Sequence, residues 1–364
     1  MAINDIVDTH LQVEDLLRMM VERGASDLHL KAGTPPMLRV DGELVPALKE
    51  VLSADALKQM LSGILTDQQK AEFVADKELD MAYSLPGLSR FRVNIYLQRG
   101  TWGAAFRVIP ARPFSIDELK LPLILKDFGM KPRGLILVTG PTGSGKSTTL
   151  AAMIDHINEN RRCHIVTVED PIEFLHKDKL SVISQREIGA DTLSFGTALT
   201  HVLRQDPDVI LIGEMRDLET ISVAITAAET GHLVLATLHT SGAATTVDRV
   251  VDVFPPHQQQ QIRMQLSVTL EGILSQALLQ RSGGSGRVLA MEVLAVTPAI
   301  RNVIREGKTH QIPNMLQAGG QFGMITLDQS LKMLYQQGLV SYEEALTKCT
   351  NPDDFNRLLG KADK

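Results

Sequence analysis

The densest chemistry in the sequence lies at Gly140-Pro141-Thr142-Gly143-Ser144-Gly145-Lys146-Ser147-Thr148. Its spacing, G-x-x-x-x-G-K-[ST], is that of a phosphate-binding loop. Glycines at 140, 143 and 145 permit backbone angles that a side chain forbids, so successive N–H groups can converge on phosphate oxygens. A helix starting at the end of the loop adds unpaired N–H groups and the positive end of its dipole. In such a loop Lys146 reaches the β- and γ-phosphates and the Ser147 hydroxyl coordinates Mg²⁺. The expected ligand is therefore ATP with Mg²⁺.

Two further stretches offer the acids that phosphoryl chemistry needs. Val209-Ile210-Leu211-Ile212-Gly213-Glu214 reads as a buried strand ending in a carboxylate, the element that supports Mg²⁺ and the attacking water in phosphate-loop enzymes. Gly213 stands where an aspartate is common, so Glu214 works through water or as the base. Ile165-Val166-Thr167-Val168 is a second apolar strand, tipped by Glu169 and Asp170. Ligands of open α/β sheets bind at that edge, which makes Glu169 the second candidate to orient or deprotonate water. His232 and His239 sit at opposite ends of one strand and cannot share a metal. His239, at the carboxyl end, is placed to sense a γ-phosphate by a hydrogen bond; His232 reads as structural. Arg204 and Arg216 flank the Glu214 strand. An arginine supplied across a subunit boundary is worth roughly 10³–10⁵ in rate. On Ala299–Glu306, Ile300, Val303 and Ile304 share one helical face and Arg301 and Arg305 another, read as a solvated basic stripe.

These groups need a scaffold, and the patterning supplies two. Over the first ~110 residues, helices are expected at 11–23, Ala54–Leu65 and from Asp67 to about Val74. Ser53 and Thr66 serve as caps. Asp27–Lys31 alternates as a strand, Met37–Val45 reads as a hairpin turning at Asp41-Gly42, and Arg90–Leu97 returns as Thr101–Ile109. That is a small α+β domain with an antiparallel sheet. Pro110-Ala111-Arg112-Pro113 reads as the linker. Beyond it, strands at Leu135–Val138, Ile165–Val168, Ser181–Gln185, Val209–Ile212, Leu233–Thr237 and Val288–Val293 alternate with helices at 148–160, 194–204, 217–229, 243–250 and 256–280. The alternation calls for a mostly parallel sheet between helices. Ser282-Gly283-Gly284-Ser285-Gly286 is a turn. Helices then close the chain at Pro298–Glu306, Thr326–Gln337 and Ser341–Lys348, the last opened by a capping box from Ser341 to Glu344. The division expected is 1–110, a lead-in at 111–133, an α/β core at 134–293 and a helical region at 294–364.

Bulk properties narrow the class. The 364 residues suggest two domains. A net charge of -6 and 4% aromatic content argue against a nucleic-acid translocase, which needs a basic channel with stacking groups. Cys163 and Cys349 lie far apart and fit neither a disulfide framework nor a zinc cluster; a reducing cytosol suits them. The start Met1-Ala2-Ile3-Asn4-Asp5 lacks a signal-peptide core, and no apolar run approaches the ~20 residues that span a bilayer.

The phosphate loop, Val168–Glu173, Ile212–Asp217, Thr230-Gly231-His232 through His239-Thr240, and Ala299–Glu306 together resemble the secretion ATPase superfamily. The resemblance runs over nearly the whole chain, from Ser26–Leu30 onward. Ala299–Glu306 is similar to the element that marks the branch retracting type IV pili, with Val303 where leucine is commoner. A four-cysteine zinc module, found in the extension and type II secretion branch, is missing. The resemblance implies a PAS-like first domain, a RecA-like second domain and a homohexameric ring that binds ATP between the domains. By the same analogy Glu169 lies in an Asp box, Glu214 in a Walker B element, and both histidines in a His box. It also implies that Arg92 and Arg107 of the first domain reach a neighbour's nucleotide. The function implied is a cytoplasmic motor that hydrolyses ATP to retract pili and drive twitching motility. Its partner is a platform protein of the inner membrane, whose cytoplasmic face it meets without inserting. A RecA-like nucleic-acid translocase and a pilus extension or secretion ATPase are the alternatives.

Overall fold

Period-two alternation builds the first sheet of the protein, seen in a computed structural model that describes residues 11–109, 112–284 and 286–361. Pro110 and Ala111 of the expected linker, Ser285 of the expected turn and the N-terminal Met1–Asp5 lie outside the described residues. The chain divides into two units, Met1–Arg112 and Pro113–Lys364.

In the first unit β1 (Asp27–Lys31), β2 (Met37–Val40), β3 (Glu43–Pro46), β4 (Glu78–Leu85), β5 (Ser89–Gln98) and β6 (Thr101–Ile109) form an antiparallel sheet in the order β3-β2-β1-β6-β5-β4. Leu28, Leu30, Leu38, Phe91, Val93, Ile95 and Phe106 point to one face and are fully buried beneath helices Val13–Glu22, Ala54–Gly63 and Asp67–Asp76. Two hairpins turn on residue pairs with positive φ throughout: Asp41 and Gly42 at 49° and 90°, Arg99 and Gly100 at 49° and 76°. That geometry matches the right-handed twist of the strands they join. β4 is unannounced in the sequence. Its exposure is irregular, and pairing with β5 along its whole length defines it.

The second unit holds β7 (Gly134–Thr139), β8 (His164–Glu169), β9 (Val182–Glu187), β10 (Val209–Ile212), β11 (Leu233–Leu238), β12 (Leu270–Gln280) and β13 (Arg287–Ala295), in the order β13-β12-β7-β11-β10-β8-β9. All neighbours run parallel except β13 against β12. Every residue of β7, β10 and β11 is buried, as parallel strands covered on both faces must be. Helices Lys146–Asn160 and Ile124–Gly129 cover one face. Phe195–Val202, Leu218–Glu229, Ala243–Asp252, Pro256–Thr269 and Pro298–Arg305 cover the other. Leu331, Ala345 and Phe355 of the last three helices bury themselves against Leu279 of β12 and Ala290 of β13.

The expected helix over 256–280 is only partly present. It ends at Thr269, and Leu270–Gln280 becomes β12, paired in parallel with the phosphate-loop strand β7. Leu, Ala, Glu and Gln favour helix, but this segment is buried on both faces and supplies ladder partners to β7 and β13 together, which outweighs propensity. Gly272 sits under the Phe128 ring, where a Cβ would lie 2.6 Å from it. The Ser341 capping box is half made. Ser341 Oγ caps Glu344 N at 3.1 Å, but the Glu344 carboxylate accepts from Gln280 N at 3.0 Å instead of the Ser341 backbone.

Candidate functional site

Four adjacent strands of the second sheet, β7-β11-β10-β8, run parallel and so end on one edge. Their carboxyl ends lead into the phosphate loop, His239, Glu214 and Glu169 respectively. The sheet thus gathers residues spread over 100 positions of sequence onto one line.

At the end of β7 the chain turns through Gly140, whose φ is 140°. A Cβ there would meet Gln276 O at 2.5 Å and Ser144 Oγ at 2.7 Å, so the close approach of β12 also demands glycine. Gly145, at φ 92°, delivers the chain into helix Lys146–Asn160, whose N-terminus carries no side-chain cap. Its first N–H groups therefore have no side-chain acceptor at the N-cap and are left for a ligand. Lys146 Nζ curls back to donate to Gly140 O at 2.9 Å and Pro141 O at 3.1 Å. Burial lowers its pKa, and the charges of Glu214 and Glu173 partly offset that. Pro141, Thr142 and Gly143 are exposed, Ser147 and Thr148 half-buried. Ser144 Oγ is buried without a hydrogen-bond partner.

Glu214 follows Gly213 at the tip of β10. A Cβ at 213 would lie 3.2 Å from Glu169 Cα and Val168 O. Strand β8 therefore crowds the position where an aspartate is common. Glu214 Oε1 accepts from Arg216 Nε at 2.6 Å and pairs with His239 Nε2 at 2.7 Å. Burial pushes the Glu214 carboxyl up, but the Arg216 hydrogen bond and the charges of His239 and Arg216 outweigh it and hold the group below the usual range. Glu169 is pushed up by burial, which its donors offset only in part. Its Oε1 accepts from Thr167 Oγ1 at 2.6 Å and Gln185 Nε2 at 3.3 Å.

Other expected residues lie elsewhere. His232 Nδ1 is 2.8 Å from Ala227 O at the opposite end of β11, a structural contact at the end of helix Leu218–Glu229. Arg204 is exposed in the segment leading into β10, at the amino edge of the sheet and away from its own chain's phosphate loop. Arg92 and Arg107 are exposed neighbours on the polar face of the first sheet, where Arg107 Nε holds Asp27 Oδ1 at 2.7 Å. Arg301 is no solvated stripe. Its guanidinium donates to Ser267 O, Val268 O and Glu271 Oε1 at 3.0, 2.7 and 2.5 Å, closing the C-terminus of helix Pro256–Thr269. Arg305 alone is exposed, bonded to Asn302.

Several supporting groups carry no sequence signal. Gln276 on β12 donates to Thr149 Oγ1 at 2.6 Å behind the phosphate loop; a helical reading of 256–280 hides it. Thr167 and Gln185 read as ordinary strand residues. Among the described residues no group of three or more His, Cys, Asp or Glu could hold a metal ion. The Ser147 hydroxyl and the Glu214 carboxylate are hard oxygen donors of the kind Mg²⁺ accepts alongside phosphate and water.

Residues 115–347 match the family described as type II/IV secretion system protein. The chain is 49% identical over 345 residues to the type IV pilus retractation ATPase PilT of Pseudomonas aeruginosa, a match covering 95% of this chain and 100% of that one. It is 50% identical over 321 residues to the twitching motility protein of Neisseria gonorrhoeae, covering 88% and 86%. The crystal structure of the pilus retraction motor PilT with bound ADP superposes with a TM-score of 0.90 at 44% identity, covering 96% of this chain and 100% of that chain. With sequence and fold both matched over almost its whole length, the chain belongs to the type II/IV secretion system protein family.

Proposed function

We propose that this protein is a motor ATPase that retracts type IV pili. One observation carries the ATPase reading: the phosphate loop, His239, Glu214 and Glu169 end four neighbouring parallel strands on one edge; likeness to pilus retraction ATPases over almost the whole chain supports retraction. ATP is the substrate. The loop amides from Gly140 to Thr148 and the Lys146 ammonium hold its phosphates. Ser147, with Glu214 through water, holds Mg²⁺, which neutralises phosphate charge when bound. Glu169 and Glu214 orient and deprotonate the attacking water. Arg216 and His239 fix Glu214, and His239 couples that carboxylate to the presence of the γ-phosphate. Arg204, remote from its own chain's loop, acts on a neighbour's nucleotide, as do Arg92 and Arg107. The working assembly is a homohexameric ring engaging a platform protein at the cytoplasmic face of the inner membrane. Among the described residues no helix is long and apolar enough to cross a bilayer.

Pure protein with Mg²⁺ should release phosphate from ATP, and Lys146→Ala should reduce turnover at least 100-fold with the fold intact by circular dichroism. Parent-rate hydrolysis by Lys146→Ala would refute the site. In cells, loss of the gene should leave pili assembled but unable to retract. Normal retraction without the gene would assign the protein to another branch of the family.

A further inference from the structure

We propose that Thr167 is a positioning residue for ATP hydrolysis: its hydroxyl fixes the Glu169 carboxylate in the orientation that accepts the attacking water. The inference rests on the reading of Glu169 as a water-activating group. Its geometry stands independently. Thr167 and Glu169 lie two residues apart on β8, so both side chains project from the same face of the strand. Gln185 lies directly opposite Thr167 on β9. That single rung sends two donors to the same oxygen, Glu169 Oε1: the Thr167 hydroxyl at 2.6 Å and the Gln185 amide at 3.3 Å. The backbone N–H of Glu173 also donates to the carboxylate. A carboxylate offers about four acceptor positions. With these donors in place, little more than one remains, which restricts where a water can bind and in which direction its proton leaves. A freely rotating glutamate has no such preference.

The two side chains of the rung differ in what else they do. Gln185 also donates to Phe174 O at 2.9 Å and accepts from His176 N at 2.9 Å, so it ties down the loop after β8 as well. The Thr167 hydroxyl makes its hydrogen bond to Glu169 while its side chain is fully buried. Thr167 is therefore the cleaner probe, and its substitution by valine keeps shape while removing the donor.

The experiment compares Thr167→Val, Thr167→Ser and Glu169→Gln in the full-length protein. Readouts are steady-state ATP turnover, affinity for a fluorescent ADP analogue and the thermal midpoint. Thr167→Val should lower kcat roughly 10- to 100-fold, the range expected when a reacting group is misplaced by about an ångström. KM for ATP and ADP-analogue affinity should stay within twofold, and Thr167→Ser should recover most of kcat. In the Glu169→Gln background, adding Thr167→Val should cost nothing further. A wild-type kcat in Thr167→Val, with Glu169→Gln inactive, overturns the positioning role and leaves the reading of Glu169 standing. Full activity in Glu169→Gln overturns both. Equal losses in Thr167→Val and Thr167→Ser, or a loss that tracks the thermal midpoint or the ADP affinity, marks Thr167 as structural and overturns the inference as well.

Discussion

Glu169 and Glu214 carry the same functional group in opposite electrostatic settings. Glu214 shares one oxygen between an arginine and a histidine, so its charged form is favoured despite burial. The donors to Glu169 from Thr167, Gln185 and the Glu173 backbone are neutral, so burial dominates and its protonated form gains ground. A water-activating glutamate must be ionised to work. Because the Glu169 carboxyl is raised above the ordinary value of 4.5, turnover should be lost as pH falls through a point above 4.5, before Glu214 titrates. The acid limb of the kcat profile checks this, and Thr167→Val should move that limb to higher pH, since it removes a donor that favours the charged form. A limb at or below 4.5 would assign it to another group. Two carboxylates whose environments pull them apart can divide acid–base labour in one site. That contrast is invisible in sequence, where both read as acids at the tips of apolar strands.

Among the elements, helix Pro256–Thr269 and strand β12 show how a segment's partners define it. The helix stops where Arg301, from a helix over 30 residues later, takes its last carbonyls at Ser267 and Val268 and pairs with Glu271 beyond them. Cationic donors there complete both the open carbonyls and the dipole. Arg301→Ala should therefore destabilise the protein by about 2 kcal/mol, the scale of a charge-assisted hydrogen bond in a partly buried setting. The measurement is the shift of the urea midpoint at unchanged slope; a shift no larger than that of Arg305→Ala would contradict it. Another device is Asn158, fully buried near the end of the phosphate-loop helix. It donates to Lys177 O at 2.8 Å and accepts from Lys179 N at 3.0 Å and Ser181 N at 3.3 Å. Through it the helix that opens at Lys146 braces the segment between Glu173 and β9.

For the whole molecule, the position of Arg204 carries the strongest consequence. It lies at the amino edge of the sheet, while the phosphate loop opens at the carboxyl edge. No side chain bridges the length of a strand, so an essential Arg204 acts on another protomer. Arg204→Ala and Lys146→Ala should each be inactive alone, and mixing them should restore part of the turnover as rings form in which an intact loop meets an intact arginine. Absence of recovery despite proven subunit exchange would remove Arg204 from the active site. Local spacing was enough to reveal the phosphate loop, the acid-tipped strands, the Asp41-Gly42 turn and the alternation of strands and helices. Each depends on residues that are neighbours in the chain. The fate of Leu270–Gln280, the grip of Arg301, the Thr167–Gln185 rung and the meeting of Glu214 with His239 were settled only by the tertiary structure. Strand order and register join residues by hydrogen bonds that skip over tens of positions, and no local pattern encodes which partner will be there.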